Sequence, residues 1–208
     1  MPLVLRANAD QANADTLGQV AQLLREGKVV AFPTDTLYGL AVDARNADAV
    51  RRLYALKGRA DASALPLIAA NMEQAQLAAN LQEIECRLAS RWWPGPLTIV
   101  AAARAAVARE ALGGGHTVGV RVPDHPVARG LATALEFPVT ATSANRSGGQ
   151  PATRADEVIA ALPDVDAVID AGPARGGAPS TIVEVVDGDV RLIRAGAIAW
   201  DRVLESLG

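Results

Sequence analysis

A chain of 208 residues is long enough for a substantial core and sets one domain as the starting expectation, with room for a small subdomain. Its net charge of −3 argues against the broad electropositive surface that duplex nucleic acid demands and leaves space only for a small basic pocket. A lone cysteine, Cys86, excludes a disulfide framework and a cysteine-based metal site. No apolar run approaches the roughly 20 residues of a membrane span, and MPLVLRANAD has no signal-peptide core, so a cytoplasmic protein without a membrane partner is expected.

Half of the residues are apolar but only 3 % are aromatic, so Ala, Val, Leu and Ile must build the core. Residues 3–5 read as a first strand, and Leu17, Val20, Ala21 and Leu24 mark an amphipathic helix that Gly27 closes. The apolar run 29–32 is a second strand, ending at Pro33 and a polar Thr34-Asp35-Thr36 turn. A helix then starts from Asn46 as N-cap, with Val50, Leu53, Tyr54 and Lys57 at i, i+3, i+4 and i+7. Lys57 therefore leaves on the face that meets the core. Gly58 breaks the helix, and Arg59 can turn the same way.

Residues 60–64 are small and polar, a loop of the kind that covers sites, and 65–70 resume as a strand. Helical patterns over 72–79 and 81–93 end at Pro94-Gly95-Pro96, which no helix continues through. Trp92 and Trp93 sit beside that turn, where they wedge a helix end onto the core rather than offer a stacking platform. Residues 97–101 form a buried strand, the Ala- and Arg-rich 103–112 a helix, and Gly113-Gly114-Gly115 a hinge or loop. In residues 117–123, Thr117, Gly119 and Arg121 share one strand face and Val118, Val120 and Val122 the other. His125 has no second ligand near it and reads as a turn or cap, ahead of a helix over 126–135 that Pro126 opens.

A strand over 138–141 runs into Thr142-Ser143-Ala144-Asn145-Arg146-Ser147-Gly148-Gly149, and Thr153 caps a helix to Leu162. A strand over 165–169, a Gly/Pro-rich loop into Ser180-Thr181, a hairpin at 186–190, a return strand to Arg194 and a helix over 198–207 complete the chain. Strands and helices intermix with a hairpin, which points to an α/β fold with a mixed, twisted sheet.

Two stretches carry chemistry. Lys57-Gly58-Arg59 could be the solvated, basic end of a helix. Yet the chain has two lysines against eighteen arginines, so a lysine here suits a site that needs a compact, mobile charge. Thr142 to Gly149 reads alone as an Asx or Ser turn. It also offers the Ser143 hydroxyl and the Asn145 amide two residues apart at a strand end, with glycines that permit close backbone approach. With no carboxylate pair and no activated nucleophile, the convergent cations and hydroxyls suit a polyphosphate and a carboxylate, where catalysis is positioning and charge stabilisation.

PTDTLYGL, KGR, WWPGPLTIV, TVGVRVPDHPVA, TSANRSGG, GPARGGAPSTIV and RAGAI, in this order and spacing, closely resemble the YrdC-type (TsaC-like) L-threonylcarbamoyladenylate synthases. The resemblance covers about residues 17–198. It implies a single YrdC-like domain over 1–208, without the C-terminal extension of longer relatives, and a concave basic cavity. It implies synthesis of threonylcarbamoyl-AMP and pyrophosphate from L-threonine, bicarbonate and ATP, with Mg²⁺ accompanying ATP and no tightly bound organic cofactor. The product would pass to the proteins that modify adenosine 37 of tRNA. By the same resemblance, Lys57, Arg59, Ser143 and Asn145 are catalytic; Arg59, Ser63, Thr117, Ser143, Pro151 and Arg194 contact ATP; Thr36, Arg121 and Ser180 contact L-threonine; and no residue is a dedicated metal ligand. After Arg59 the chain departs from the family pattern, with Ala60, Ser63, Ala64 and Leu65 where relatives carry Arg-Pro, a basic or amide residue and Pro-Leu, so altered rather than lost ATP affinity is expected. The family fold also admits weak RNA binding, which leaves a non-catalytic RNA-binding protein of the same fold as the alternative. Carbamoyl-adenylate chemistry of hydrogenase maturation is a further one, against which the missing zinc-finger cysteines count.

Overall fold

Two mixed sheets organise the computed structural model, which describes residues 1–8, 13–58 and 63–207. The first runs in the order β1 (Leu3–Arg6), β10 (Ala167–Asp170), β2 (Val30–Pro33), β3 (Tyr38–Ala41) and β9 (Thr142–Ser143). The second runs β12 (Asp189–Arg194), β11 (Thr181–Val186), β6 (Leu97–Ala103), β7 (Thr117–Arg121), β4 (Leu67–Ile68) and β8 (Val139–Thr140). A short β5 (Ala79–Asn80) pairs with β6. Both sheets are mixed: the first has two parallel pairs followed by two antiparallel ones, and in the second antiparallel and parallel pairs alternate.

The chain changes sheets at Ala141. β8 pairs antiparallel with β4 in the second sheet, and β9, one residue later, pairs antiparallel with β3 in the first. The Ala141 amide donates to the Pro66 carbonyl at 2.8 Å, and an isolated bridge joins Asp43 to Val139, so the sheets are held together where the chain passes between them. Residues of both sheets line a common space at this seam.

Helices cover the outer faces. α1 (Ala14–Arg25) and α5 (Pro126–Leu135) pack on the first sheet: Leu17, Val20 and Leu24 meet Val127, Leu131 and Leu135 above Val30, Phe32 and Ile169. Each such fully buried side chain contributes about 1.5–3 kcal/mol relative to exposure. The larger core joins Val50, Leu53 and Tyr54 of α2 (Ala47–Lys57) to Leu97, Ile99, Val118 and Val120 of the second sheet and to Leu88 of α4 (Glu83–Trp92). α3 (Met72–Ala78), α6 (Ala155–Ala161) and α7 (Trp200–Glu205) complete the set.

Several local readings of the sequence hold for local reasons. Asn46 caps α2 by accepting from the Ala49 amide at 3.1 Å, and Gly58 ends the helix in the left-handed region at φ 61°, where a side chain would be strained. Pro126 opens α5 in its first turn. Trp93 donates its indole N–H to the Leu97 carbonyl at 2.7 Å and Trp92 to the Ser206 hydroxyl at 3.0 Å, which ties the α4 end onto the core.

Three readings change. Residues 103–112 are not a helix: β6 continues to Ala103, and a short 3₁₀ turn at Arg109–Leu112 follows. Ala102 pairs with both Thr117 and Asn80, and Ala103 with Ala79, so ladder bonds on two sides override the helical preference of alanine. β3 has no counterpart in the sequence reading, because Gly39 interrupts its pattern. A Cβ at Gly39 would lie 3.3 Å from the Phe32 ring, a close strand approach that glycine allows. Thr153 does not cap α6 with its own oxygen; its amide and hydroxyl both donate to the Glu157 carboxylate, at 2.7 and 3.2 Å.

Candidate functional site

A cavity of about 460 Å³ opens at the seam and is lined from both sheets. From the β2–β3 hairpin come Thr34, Thr36 and Tyr38, and from the crossing Ala141, Thr142 and Ser143. The second sheet supplies Thr98, Gly119, Arg121, Ser180 and Arg194. The alternation of β7 is the cause of part of this: Val118 and Val120 enter the core, which turns Gly119 and Arg121 to the cavity. Five of the residues read from the sequence, Thr36, Arg121, Ser143, Ser180 and Arg194, therefore meet in one space.

Arg121 is 7 % exposed and fully engaged along one edge of its guanidinium. Nε donates to the Gly95 carbonyl at 2.9 Å, and Nη2 donates to the Asp35 carboxylate. Nη1 makes no bond among the described residues. Burial pushes the Arg121 guanidinium below its ordinary pKa, and the charge and hydrogen bond of Asp35 oppose that shift. One edge of the guanidinium fork thus already belongs to Asp35 and Gly95. Asp35 was visible only as one polar residue of a strand-end turn, and no sequence signal tied it to Arg121, 86 positions away.

In the same sheet the Ser180 hydroxyl and the Thr98 hydroxyl share a 2.8 Å hydrogen bond. Arg194 donates through Nη2 to the Ser180 carbonyl at 2.8 Å and lies 3.3 Å from its hydroxyl. Partial burial and the charge of Arg121 both lower the Arg194 pKa, so an anion between the two arginines relieves mutual repulsion. Gly196 permits the local packing: a Cβ there would come within 2.3 Å of the Pro179 carbonyl.

Lys57, 3 % exposed at the end of α2, reaches into the loop after β9. Its Nζ donates to the carbonyls of Ser143 and of Asn145, the latter at 2.9 Å, while its own carbonyl accepts from the Ser147 amide at 2.9 Å. Lysine and loop fasten each other. Asn145 does not follow Ser143 into the cavity: its Nδ2 turns back to the carbonyls of Arg146 and Gly149 at 2.8 and 2.7 Å. β9 ends at Ser143, so the two-residue alternation that would aim both side chains alike no longer applies. The Asn145 Oδ1 is buried without a partner among the described residues.

The remaining candidates lie apart. Thr117 and Pro151 are exposed and outside the cavity lining, and Ser63 is half-buried with its carbonyl accepting the Tyr54 hydroxyl at 2.6 Å. Arg59 and Ala60 lie outside the described residues. His125 is the N-cap residue of α5 by position, but its side chain makes no cap bond and its buried Nδ1 is unpartnered. Among the described residues no group of three or more His, Cys, Asp or Glu is placed to hold a metal ion, and no helix is long and apolar enough to cross a membrane.

Two mixed sheets joined at a strand crossing, with paired hydroxyls and two arginines lining the space between, define an α/β protein with a polar cleft at the seam. The chain belongs to the Sua5–YciO–YrdC family, whose profile, described as "Telomere recombination", matches residues 22–196. It is 36 % identical over 199 residues to the threonylcarbamoyl-AMP synthase of Bacillus subtilis, covering 94 % of this chain and 58 % of that protein. It is 38 % identical over 190 residues to the threonylcarbamoyl-AMP synthase of Pyrococcus abyssi, covering 90 % of this chain and 56 % of the relative. The chain thus spans a little over half the length of these two proteins. The crystal structure of P. abyssi Sua5 complexed with L-threonine superposes with a TM-score of 0.90 at 34 % identity, over 100 % of this chain and 61 % of that one.

Proposed function

We propose that this protein is a threonylcarbamoyl-AMP synthase, joining L-threonine, bicarbonate and ATP into threonylcarbamoyl-AMP and pyrophosphate. The observation that carries the reading is the meeting of Thr36, Arg121, Ser143, Ser180 and Arg194 in one cavity, in a chain of this family. Arg121 would bind the threonine carboxylate through Nη1, with Thr36 and Ser180 supplying hydroxyls. Arg194 and Arg59 would bear on the ATP phosphates, and Ser63, Thr117, Ser143, Asn145 and Pro151 would border the nucleotide.

The expected chemistry needs no protein nucleophile. The threonine amine adds to CO₂ and releases a proton, or condenses with bicarbonate and releases water, to give a carbamate; the carbamate oxygen then attacks the α-phosphorus as the bond to pyrophosphate breaks. The protein's task is to align the two substrates and to stabilise the charge that develops on the leaving group. Lys57 would contribute as a buried positive charge that holds the carbonyls of Ser143 and Asn145, with Ser143 itself in the cavity lining. Mg²⁺ arriving with ATP would neutralise the pyrophosphate. The cavity lining presents hydroxyls and guanidinium groups but no carboxylate, and the nearby Asp35 is engaged by Arg121, so the triphosphate and water would hold that ion. The product would be consumed by proteins that transfer threonylcarbamoyl groups to tRNA.

Pyrophosphate release from ATP, with Mg²⁺ and bicarbonate, tests the reading when L-threonine is present, omitted or replaced by serine. Release that requires threonine and bicarbonate, with the mass of threonylcarbamoyl-AMP in the product, is expected. A folded protein with no threonine-dependent release, or one that only binds RNA in a salt-sensitive way, would overturn it.

A further inference from the structure

We infer that Asp35 is a positioning residue that holds the substrate-binding arm of Arg121 and thereby sets affinity for L-threonine, an inference that rests on the function proposed above. Arginine has four side-chain torsions, and an arm that must offer one N–H to a ligand needs the others fixed. Two anchors do this. Gly95, in the turn after α4, takes Nε, and Asp35, in the β2–β3 hairpin, takes Nη2. The ion pair crosses from the first sheet to the second, and both side chains are only 9 % exposed.

The hairpin that carries Asp35 is itself rigid. The Thr34 hydroxyl accepts from the amides of Thr36 and Leu37, each at 3.2 Å, and donates to the Leu37 carbonyl at 2.7 Å. The Thr36 carbonyl accepts from the Gly176 amide at 2.9 Å, which ties the hairpin to the loop before β11. Asp35 therefore presents its carboxylate from a fixed point. What remains of Arg121 for a ligand is Nη1, on a residue that lines the same cavity as Arg194.

A simple charge count predicts the reverse of this inference. Asp35 is a negative charge beside an anion site, so neutralising it would tighten carboxylate binding if the geometry of Arg121 did not depend on it. Positioning predicts weakening, because a buried guanidinium without its carboxylate seeks another partner, including the substrate's competitors and water.

The test is threonine affinity by calorimetry and threonine and ATP KM by pyrophosphate release, for the full chain and Asp35→Asn. The expected result is a rise of roughly tenfold or more in threonine Kd and KM, with ATP KM moving less than about threefold. In an Arg121→Lys background the same Asp35→Asn change should add less than about twofold, since Asp35 acts through the guanidinium. Unchanged or tighter threonine binding by Asp35→Asn, or an equal loss in both backgrounds, would overturn the inference alone. A wild-type chain without threonine-dependent release would overturn the proposed function and this inference with it. If Asp35→Asn does not fold, Asp35→Glu, which keeps the charge and displaces it by one methylene, is read in the same way.

Discussion

Two buried cations, Arg121 in the cavity lining and Lys57 against the 143–149 loop, are held by different means. Arg121 faces a carboxylate across the sheet seam, while Lys57 gives its ammonium hydrogens to the carbonyls of Ser143 and Asn145 in a single loop. A carboxylate balances charge and fixes the orientation of a planar guanidinium; a carbonyl satisfies a donor without carrying a full charge. Arg121 is thus locked between two sheets, and altering its surroundings should change affinity. Lys57 locks a loop to a helix end, and removing it should damage stability and turnover together.

The sharpest way to break this contrast is Lys57→Met. Two charge-assisted bonds vanish and two carbonyls lose their donor, so a loss of about 2–4 kcal/mol is expected, read as a fall of about 5–15 °C in melting temperature. Turnover should drop by about 100-fold or more as the fixed charge and Ser143 are released. A melting temperature within 2 °C of wild type, about the size of a 1 kcal/mol change, would show that Lys57 does not fasten the loop.

Gly119→Val probes the cavity instead. Its Cβ would meet the Thr98 methyl at 3.1 Å, and the branched side chain would occupy ligand space. Threonine and ATP KM should rise by about tenfold or more with a stability cost of about 1–2 kcal/mol, and calorimetric titration of each ligand checks it. Undiminished binding would mean that the ligands sit elsewhere.

Ser180→Ala is smaller again. It removes the hydroxyl paired with Thr98 but leaves the backbone carbonyl that holds Arg194, so threonine KM should rise by about fivefold, near 1 kcal/mol. A loss confined to ATP KM would reassign Ser180 to the nucleotide side.

The least effect belongs to His125. Burial holds its pKa below the usual 6.5, with Asp35 and Asp124 pulling it up and Arg175 pushing it down. The unfolded chain therefore binds a proton before the folded one does, and the stability from neutral His125 is complete above pH 6.5 and declines as pH falls through and below that value. Thermal melts of His125→Gln should show a shallower decline on the acid side of pH 6.5 than wild type. An identical slope would exclude His125 as a source of acid lability.

Legibility in the sequence follows the range of the forces. The α2 cap at Asn46, its left-handed end at Gly58, the inward Lys57 and the two faces of β7 are decided within a few residues, by capping chemistry and by periods of 3.6 and 2. Residues 103–112 show the limit, since alanine's helical preference yields to partners at Ala79 and Thr117 that no local window contains. Asn145 shows another: the spacing from Ser143 is right for a strand, but the strand stops first.

What the sequence determined by itself is the inventory and its local aim: the family motifs, the α/β class, and cations and hydroxyls at the ends of elements. Only the tertiary structure decided which of them share a space. The crossing at Ala141 sets Ser143 in one sheet while Arg121, Ser180 and Arg194 remain in the other, and the cavity is the gap between. The Asp35–Arg121 pair belongs wholly to that second level. Burial removes water from both charges at once, and two groups 86 positions apart become each other's solvent only after the sheets meet.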